Sequence, residues 1–291
     1  MPEIVIISGK GGAGKTSLTA AFAHLARNKT ICDLDVDAPD LHLLLGPEHE
    51  QEHDFYSGNL AIIDPDKCSQ CGLCAEMCRY DAVSPTEAAY AIEPLKCEGC
   101  KVCVEFCPEE AIAFPEKHCG GWYVSRTRFG ELVHAQLFPG EENSGRLVAL
   151  LRQKARELSE AQGRDLILCD GAPGIGCPVI SSLTGTDLAV VVTEPTPSGR
   201  HDLERVVELC VHFKIPMAIV INKYDINLEQ TALIEEFCRG RGIPLLARLP
   251  HDPAMTKAMV QGQTITEYQS GELADMIRKA WQEVESMAGL A

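Results

Sequence analysis

Eight of the fourteen cysteines fall into two copies of one spacing, C-x2-C-x2-C-x3-C, and the second copy begins 29 positions after the first. This run is typical of a pair of [4Fe–4S] clusters, in which the fourth cysteine of each run binds the cluster of the other run. The spacing therefore predicts two crossed ligand sets: Cys68, Cys71, Cys74 and Cys107 for the first cluster, and Cys97, Cys100, Cys103 and Cys78 for the second.

Zinc and disulfides are the alternative uses of these cysteines. Structural zinc sites use two C-x2-C pairs separated by a longer gap, or cysteine together with histidine. Disulfides belong to small secreted domains, and the acidic start of the chain does not have the pattern of a signal peptide. The spacing favours iron–sulfur clusters, with zinc as the alternative.

The cysteine runs lie in a segment whose composition differs from the rest of the chain. We predict a small α+β insert at 61–115, bounded by Asp64-Pro65 and Phe114-Pro115, between two parts of one larger domain at 1–60 and 116–291. In the larger domain, apolar runs predict strands at 3–8, 31–35, 166–170, 188–193, 217–222 and 245–249, and a hairpin at 122–127 and 131–137. Amphipathic runs predict helices at 16–26, 144–161, 200–213, 228–239, 252–261 and 272–287. This alternation predicts an α/β fold with a doubly wound, mostly parallel sheet and ligands at the carboxyl ends of its strands.

The turn after the first predicted strand is rich in glycine and ends in a lysine and a threonine. The run Gly9-Lys10-Gly11-Gly12-Ala13-Gly14-Lys15-Thr16 matches G-x4-G-K-T between a strand and a helix, and Ser17 follows it. In such a loop the backbone amides converge on phosphates, Lys15 reaches the β- and γ-phosphates, and the Thr16 hydroxyl binds Mg²⁺. Lys10 is an additional lysine, and we expect it to reach across a dimer interface to the partner's nucleotide, as an arginine finger does.

The segment from Ser8 to Thr16 resembles the deviant P-loop of the MinD/Mrp ATPases, which are relatives of the nitrogenase iron protein. The resemblance continues in Asp33-Leu34-Asp35-Val36-Asp37-Ala38-Pro39, in Leu168-Cys169-Asp170-Gly171-Ala172-Pro173-Gly174, in Asn222-Lys223 and in Pro250-His251-Asp252-Pro253. Together with the cysteine runs, these segments are similar to the subgroup of MinD-type ATPases that carries an inserted ferredoxin domain.

The resemblance implies roles for the matching residues. Asp35 would orient the attacking water, Lys15 and Lys10 would contact phosphates, and Asp33 and Asp170 would support Mg²⁺. It also implies a homodimer that holds ATP between its subunits. Asn222, Pro250 and Asp252 would contact the adenine ring, although Asn222-Lys223-Tyr224-Asp225 also matches the N-K-x-D pattern that reads guanine in GTPases, so GTP is the alternative nucleotide.

Six cysteines lie outside the two runs. We expect Cys32, Cys169, Cys210 and Cys238 to be core residues, because they occupy strands or apolar helix faces. Cys177 follows Asp170 at an offset similar to that of the ligand for the inter-subunit cluster in the nitrogenase iron protein, and we expect Cys119 to be a flexible, accessible thiol. Two subunits would then share an extra metal site built from Cys177 and Cys119; the alternative is a packed Cys177 and an incidental Cys119.

Composition limits the partners of the chain. The net charge is −16 and the pI is about 5.0, which argues against nucleic acid and anionic membranes as partners. No apolar stretch reaches membrane-spanning length, so we expect a cytoplasmic protein. The acidic insert suits a client or electron partner with a basic docking face.

Two functions account for both the nucleotide loop and the cysteines. The first is a slow ATPase that assembles or carries a metal–sulfur centre, as the Mrp-type carriers do. The second is an ATP-gated electron donor, similar in logic to the nitrogenase iron protein. A MinD-like positioning ATPase with structural clusters is the alternative, and a small-molecule ligase would need a partner domain that the sequence does not contain.

Overall fold

The buried strands of the larger domain form where the apolar runs lie. The structure is a computed structural model and describes residues 1–141 and 144–290. Its strands, in chain order, are β1 (Glu3–Ser8), β2 (Lys29–Asp33), β3 (Glu48–Asn59), β4 (Ile62–Ile63), β5 (Val83–Pro85), β6 (Tyr90–Ile92), β7 (Ile112–Ala113), β8 (Glu116–Thr127), β9 (Gly130–Leu137), β10 (Leu166–Pro173), β11 (Leu188–Thr193), β12 (Met217–Asn222) and β13 (Leu245–Leu249).

The helices alternate with the strands as the amphipathic runs predict. They are α1 (Lys15–Leu25), α2 (Leu41–Leu45), α3 (Leu73–Met77), α4 (Val102–Glu105), α5 (Ser144–Gln162), α6 (Cys177–Leu183), α7 (Pro197–His212), α8 (Leu228–Arg241), α9 (Pro253–Val260), α10 (Ile265–Tyr268) and α11 (Glu272–Met287), with a short 3₁₀ helix at Tyr224–Ile226. Among the residues described, none of the helices is both long enough and apolar enough to cross a membrane.

Strand β1 lies inside a nine-stranded sheet with the order β13-β12-β11-β1-β10-β2-β9-β8-β3. It pairs in parallel with β10 and β11, and the parallel pairing continues outward to β2 and β9 on one side and to β12 and β13 on the other. All six residues of β1 and all six of β11 are buried, as expected for a parallel sheet covered on both faces. The predicted mostly parallel α/β fold is therefore confirmed.

The carboxyl ends of these strands lie side by side because of their register. Ser8 at the end of β1 pairs with Val192 near the end of β11, and Thr193 pairs with Ile221 near the end of β12. Asp33 at the end of β2 pairs with Asp170 of β10. The segments that follow β1, β2, β10, β11 and β12 therefore meet at one edge of the sheet.

The chain divides into two compact units. The nucleotide unit comprises Met1–His53, Gly121–Gln136 and the chain from Ser144 onward, and the cysteine unit comprises Asp54–Gly120 together with a segment that begins at Leu137. The predicted insert, 61–115, lies within the cysteine unit.

The cysteine unit repeats its backbone as well as its sequence. Three pairs of residues that are 29 positions apart adopt the left-handed conformation in both copies: Gln70 and Gly99 (φ 57° and 59°), Gly72 and Lys101 (80° and 68°), and Asp81 and Glu110 (49° and 48°). In each copy a short helix, α3 or α4, begins directly after the second of these positions. Two small antiparallel sheets, β4 with β7 and β5 with β6, complete the unit. The internal repeat therefore corresponds to two similar structural halves.

Several elements differ from the prediction. In the larger domain, helices α2, α6 and α10 and strand β3 were not expected, and β8 begins at Glu116 instead of 122. Strand β3 has the sequence EHEQEHDFYSGN, in which only Phe55 and Ser57 are buried, and it lies at the outer edge of the sheet. Most of β3 is exposed on both of its faces, so it lacks the apolar alternation by which hydrophobic periodicity detects a strand.

Candidate functional site

The glycine-rich turn connects the end of β1 at Ser8 to the start of α1 at Lys15. Gly12 and Gly14 adopt left-handed conformations, with φ of 81° and 93°, which glycine reaches without a steric penalty. A Cβ atom at Gly14 would also collide with the Asn222 amide. The turn therefore depends on glycine twice, for its backbone conformation and for the close approach of Asn222.

A cavity of about 590 Å³ opens over this turn. The residues that line it come from the segments that follow β1, β2, β12 and β13 and from α9, and they include the following predicted site residues: Gly11, Gly12, Gly14, Lys15, Thr16, Ser17, Asp35, Asn222, Pro250 and Asp252. The other predicted residues, Gly9, Lys10, Ala13, Asp33 and Asp170, lie outside its lining. The cavity also has apolar walls from Leu43, Met255 and Met259.

The side chain of Asp170 lies at the base of the turn and is completely buried. Its Oδ2 atom accepts a hydrogen bond from Thr16 Oγ1 over 2.7 Å and lies 2.9 Å from Lys15 Nζ. Its Oδ1 atom accepts from Thr19 Oγ1 over 2.8 Å. Carboxylate and hydroxyl oxygens are the donors that Mg²⁺ prefers, so the adjacent oxygens of Thr16 and Asp170 fit that ion.

Three carboxylates surround the buried Lys15. Burial lowers its pKa, but the charges of Asp170, Asp35 and Asp33 outweigh burial and raise it overall. Burial raises the pKa of Asp33 well above its usual range, and the neighbouring Asp170 charge adds to this. Burial likewise raises the pKa of Asp35, whose Oδ2 atom lies 3.5 Å from Lys15 Nζ. Lys15 stays charged at neutral pH and stabilises the carboxylates around it.

Asp33 and Asp35 have different surroundings. Both oxygens of Asp33 accept backbone hydrogen bonds, from Asp35 N over 3.1 Å and from Leu41 N over 3.3 Å. Asp33 therefore shapes the loop that carries Asp35, while the Asp35 side chain faces the cavity.

Lys10 lies beside a carboxylate that the sequence did not point to. Its Nζ atom is 3.8 Å from Glu194 Oε2, and the other oxygen of Glu194 forms a close ion pair with Lys223. Gly9 packs against α7, because a Cβ atom there would lie 2.5 Å from Asp202 Cβ. The start of the turn is thus fixed against the segment after β11.

The residues expected to contact the base do several structural tasks. Asn222 Nδ2 donates to the Ala13 carbonyl over 2.9 Å, and Asp252 caps α9 by accepting from Ala254 N over 2.8 Å. Asp225, the last residue of the N-K-x-D match, accepts from His251 N over 2.7 Å and does not line the cavity. Asp225 therefore braces the 250–253 loop.

The cysteine unit contains two further cavities, and each is lined by four cysteines. One is lined by Cys68, Cys71, Cys74 and Cys107, and the other by Cys78, Cys97, Cys100 and Cys103. Each cavity thus takes three cysteines from one copy of the repeat and the fourth from the other copy. Helices α3 and α4, which carry Cys74 and Cys103, contact each other, so the two sets are neighbours. Burial, and then the nearby thiols of Cys97, Cys100 and Cys74, raise the pKa of Cys103 to about 11. Among residues 1–141 and 144–290, no group of three or more His, Cys, Asp or Glu side chains is arranged to hold a single metal ion.

The remaining cysteines divide into buried and exposed ones. Cys32, Cys169, Cys210 and Cys238 are buried, as predicted. The expectation that Cys119 is an accessible thiol is wrong: it is 1% exposed in β8 and its thiol donates to the Ser57 carbonyl over 3.2 Å. Cys177 is exposed at the start of α6, next to Gly145. Because Cys119 points into the protein, it is not placed to share a metal with Cys177 of another subunit.

Two contributors to the site were missed from the sequence. Thr19 lies one turn into α1 and reads as an ordinary helix residue, so no local signal marks its bond to Asp170. Glu194 follows a buried strand directly, and its position at a strand end of a parallel sheet was a usable signal.

A buried carboxylate paired with the lysine and threonine of a glycine turn, beneath an open cavity, defines a P-loop nucleotide-hydrolysing enzyme. The fold and the site are therefore those of a P-loop ATPase. Residues 4–265 match the model of the CobQ/CobB/MinD/ParA nucleotide binding domain, and the chain belongs to this family.

Several proteins are similar to the chain along most of its length. An uncharacterized protein of Methanocaldococcus jannaschii is 35% identical over 77% of this chain and 79% of its own length. A protein of Caenorhabditis elegans named cytosolic Fe-S cluster assembly factor NUBP1 homolog is 22% identical over 91% of this chain and 74% of its own length. Among solved structures, the septum site-determining protein MinD of Pyrococcus horikoshii in complex with Mg-ADP superposes with a TM-score of 0.59 at 19% identity, over 99% of this chain and 98% of that one.

Proposed function

We propose that this ATPase is an iron–sulfur protein that couples ATP-driven pairing of two chains to the maturation of a metal–sulfur centre, to which it delivers electrons. The observation that carries the proposal is the pair of four-cysteine cavities in the same chain as the nucleotide cavity. Two complete sets of four cysteines in one chain favour a redox or cluster-related role over nucleotide hydrolysis alone.

The cysteines fit two [4Fe–4S] clusters, one in each cavity. Four thiolates per cluster is the full ligand number of such a centre. The first cavity offers Cys68, Cys71, Cys74 and Cys107, and the second offers Cys97, Cys100, Cys103 and Cys78. Bound clusters of this kind would supply one-electron transfer. The unit that holds them corresponds to a bacterial ferredoxin domain inserted into the ATPase domain.

The nucleotide unit supplies the residues for phosphoryl transfer. Lys15 and the turn amides would hold the phosphates, Thr16 and Asp170 would hold Mg²⁺, and Asp35, which lines the cavity, would orient the attacking water. Lys10 lies outside the cavity lining and is partly exposed. That position suits a lysine that acts on the nucleotide of a second copy of this chain, which supports a homodimer with ATP between its subunits.

The names of the relatives support a role in maturation, because several curated relatives are cytosolic Fe-S cluster assembly factors. We infer a cytoplasmic location from the same names. Electron delivery is favoured over carriage of a transferable centre, because the structure completes two four-cysteine sets while the extra pair, Cys177 and Cys119, is not available as a shared site. Carriage remains the second candidate on the strength of the relatives' names.

The proposal is tested anaerobically with the purified full-length chain. Iron and acid-labile sulfide are measured first, and about eight of each per chain are expected for two clusters. The clusters are then titrated by EPR with and without MgATP, and two assays are run in parallel: ATP-dependent reduction of an artificial electron acceptor, and ATP-dependent transfer of iron–sulfur to an apo-ferredoxin.

Each outcome has a defined meaning. A cluster potential that changes with MgATP, together with ATP-dependent reduction of the acceptor, supports electron delivery. Transfer to the apo-ferredoxin without acceptor reduction supports the carrier. Zinc in place of iron after anaerobic expression with both metals supplied would overturn the proposal, as would full cluster occupancy that responds to nucleotide in none of these assays.

A further inference from the structure

Three charged side chains lie in a row across the ends of three neighbouring strands. Lys10 follows β1, Glu194 follows β11 and Lys223 follows β12, and these strands are adjacent in the sheet. The register of β1 with β11 and of β11 with β12 brings their carboxyl ends level. The fold therefore places one carboxylate between two ammonium groups.

Glu194 uses one oxygen for each lysine. Its Oε1 atom forms the close ion pair with Lys223, and its Oε2 atom lies 3.8 Å from Lys10 Nζ. The Glu194 side chain is only 14% exposed, whereas that of Lys10 is 34% exposed. The backbone of Glu194 is also held, since its carbonyl accepts from Thr196 N over 2.8 Å at the start of α7. Lys223 thus fixes a carboxylate that in turn faces Lys10.

We propose that Glu194 is the positioning residue for Lys10: pinned by Lys223, it directs the Lys10 ammonium toward the nucleotide of a second chain. The inference rests on the proposed function, in which Lys10 acts across the dimer. A lysine side chain is long and has many rotamers, so an unguided Lys10 spends most of its time in unproductive ones. A fixed carboxylate beside it selects the useful ones before the two chains meet.

The geometry suits a Glu194 that orients Lys10 for a time better than a Glu194 that holds Lys10 in a permanent ion pair. At 3.8 Å the Lys10 pair is at the outer limit of an ion pair and is partly exposed, so it is weak and easily exchanged. The phosphates of a nucleotide carry more negative charge than one carboxylate and can therefore take over Lys10. Glu194 itself stays in place, because Lys223 holds its other oxygen.

The experiment measures ATP hydrolysis by the full chain at a protein concentration that saturates dimer formation, together with binding of a fluorescent ADP analogue. The variants are Glu194→Gln, Lys10→Ala and the double variant. Glu204→Gln is the matched control, since Glu204 is a carboxylate on α7 in a similarly loose ion pair, 3.7 Å from Arg200. We expect Glu194→Gln to lower kcat about tenfold with ADP affinity and KM unchanged, as loss of alignment does. Glu204→Gln should hydrolyse ATP at the native rate.

The double variant separates positioning from a structural role. If Glu194 acts through Lys10, adding Glu194→Gln to Lys10→Ala should cause no further loss, whereas independent effects would multiply. A further loss in the double variant, or a native rate for Glu194→Gln alone, overturns the assignment of Glu194 while leaving the proposed role of Lys10 intact. A native rate for Lys10→Ala alone instead shows that the dimer mechanism is wrong, and the role of Glu194 falls with it.

Discussion

The Thr19 hydroxyl donates a hydrogen bond to Asp170 Oδ1 over 2.8 Å, although 151 positions separate the two residues. The second oxygen of the same carboxylate accepts from Thr16 over 2.7 Å and pairs with Lys15. The carboxylate is thus fixed by helix α1 on both sides, while its backbone belongs to strand β10. This arrangement joins the phosphate-binding turn to the strand beside it.

Replacing Asp170 by Asn should abolish hydrolysis without unfolding the protein. An amide has nearly the same shape but lacks the charge that pairs with Lys15 and that would support Mg²⁺. We expect MgATP hydrolysis to fall on the order of 100-fold or more. Asp165→Asn is the matched control, because Asp165 is exposed just before the same strand. A native rate for Asp170→Asn at saturating Mg²⁺ would exclude Asp170 from the metal site.

The crossed arrangement of the cysteines predicts different iron losses for two double variants. Cys68 and Cys107 line the same cavity, whereas Cys97 and Cys107 line different cavities. Cys68→Ala with Cys107→Ala should therefore remove about four irons per chain, and Cys97→Ala with Cys107→Ala about eight. Iron and sulfide analysis after anaerobic purification measures both.

Ligation within each run would reverse these two results, because Cys97 and Cys107 belong to the same run. Cys210→Ala serves as the control for cysteine loss in general. Cys210 is buried in the nucleotide unit, and its removal should leave the iron content unchanged.

Replacing Gly9, the first residue of the phosphate-binding turn, by alanine should destabilise the protein. A Cβ atom at Gly9 would lie 2.5 Å from Asp202 Cβ and 2.7 Å from the Asp202 carbonyl carbon. Gly9→Ala forces helix α7 away from the turn, and we expect it to lower the free energy of unfolding by about 1–3 kcal/mol. Gly11→Ala is the matched control for stability, since nothing lies within 4 Å of a Cβ atom there. Equal unfolding midpoints in urea for the two variants would show that the contact with Asp202 is not tight.

A buried histidine predicts how stability changes with pH. His134 lies in β9, accepts or donates one hydrogen bond with Ser125 over 2.9 Å, and faces the rings of His49 and His42. Burial, and then the neighbouring His49 and His42, lower its pKa from 6.5 to about 4. The unfolded chain therefore binds a proton between these pH values that the folded chain does not. This contribution to stability is complete above pH 6.5 and declines as the pH falls toward 4, by at most about 3 kcal/mol.

Urea unfolding of the full chain at several pH values between 4 and 7 measures the slope. In His134→Gln the slope over this range should be smaller than in the native protein. His201→Gln, at an exposed position on α7, should keep the native slope. An unchanged slope in His134→Gln would mean that His134 is not the group responsible.

The amino-acid sequence predicted most strands of the sheet, but it did not predict the contacts between residues that are far apart in the chain. Strands such as β1 and β11 were predictable because every residue in them is buried and most are apolar. Strand β3 was not, because this edge strand is polar and exposed along most of its length.

The candidate site shows the same division. The turn and the cysteine runs follow fixed local spacings that the chemistry of phosphate and iron demands, so they could be read directly. Thr19 contacts Asp170 and Glu194 contacts Lys10 and Lys223, and the order of the strands brings these distant residues together. Asp225 shows the opposite case, since its local pattern suggested guanine while its carboxylate binds the His251 amide.

The two halves of the cysteine unit resemble each other in sequence and backbone, yet neither half can enclose a cavity by itself. Each half contributes its last cysteine to the cavity of the other half. A fragment that contains only one copy would therefore leave both cavities incomplete. The two copies are therefore not independent modules, since each four-cysteine set needs residues from both. The exchange of one side chain in each direction joins the two copies into a single structural unit, although Gly72 in one copy corresponds to Lys101 in the other.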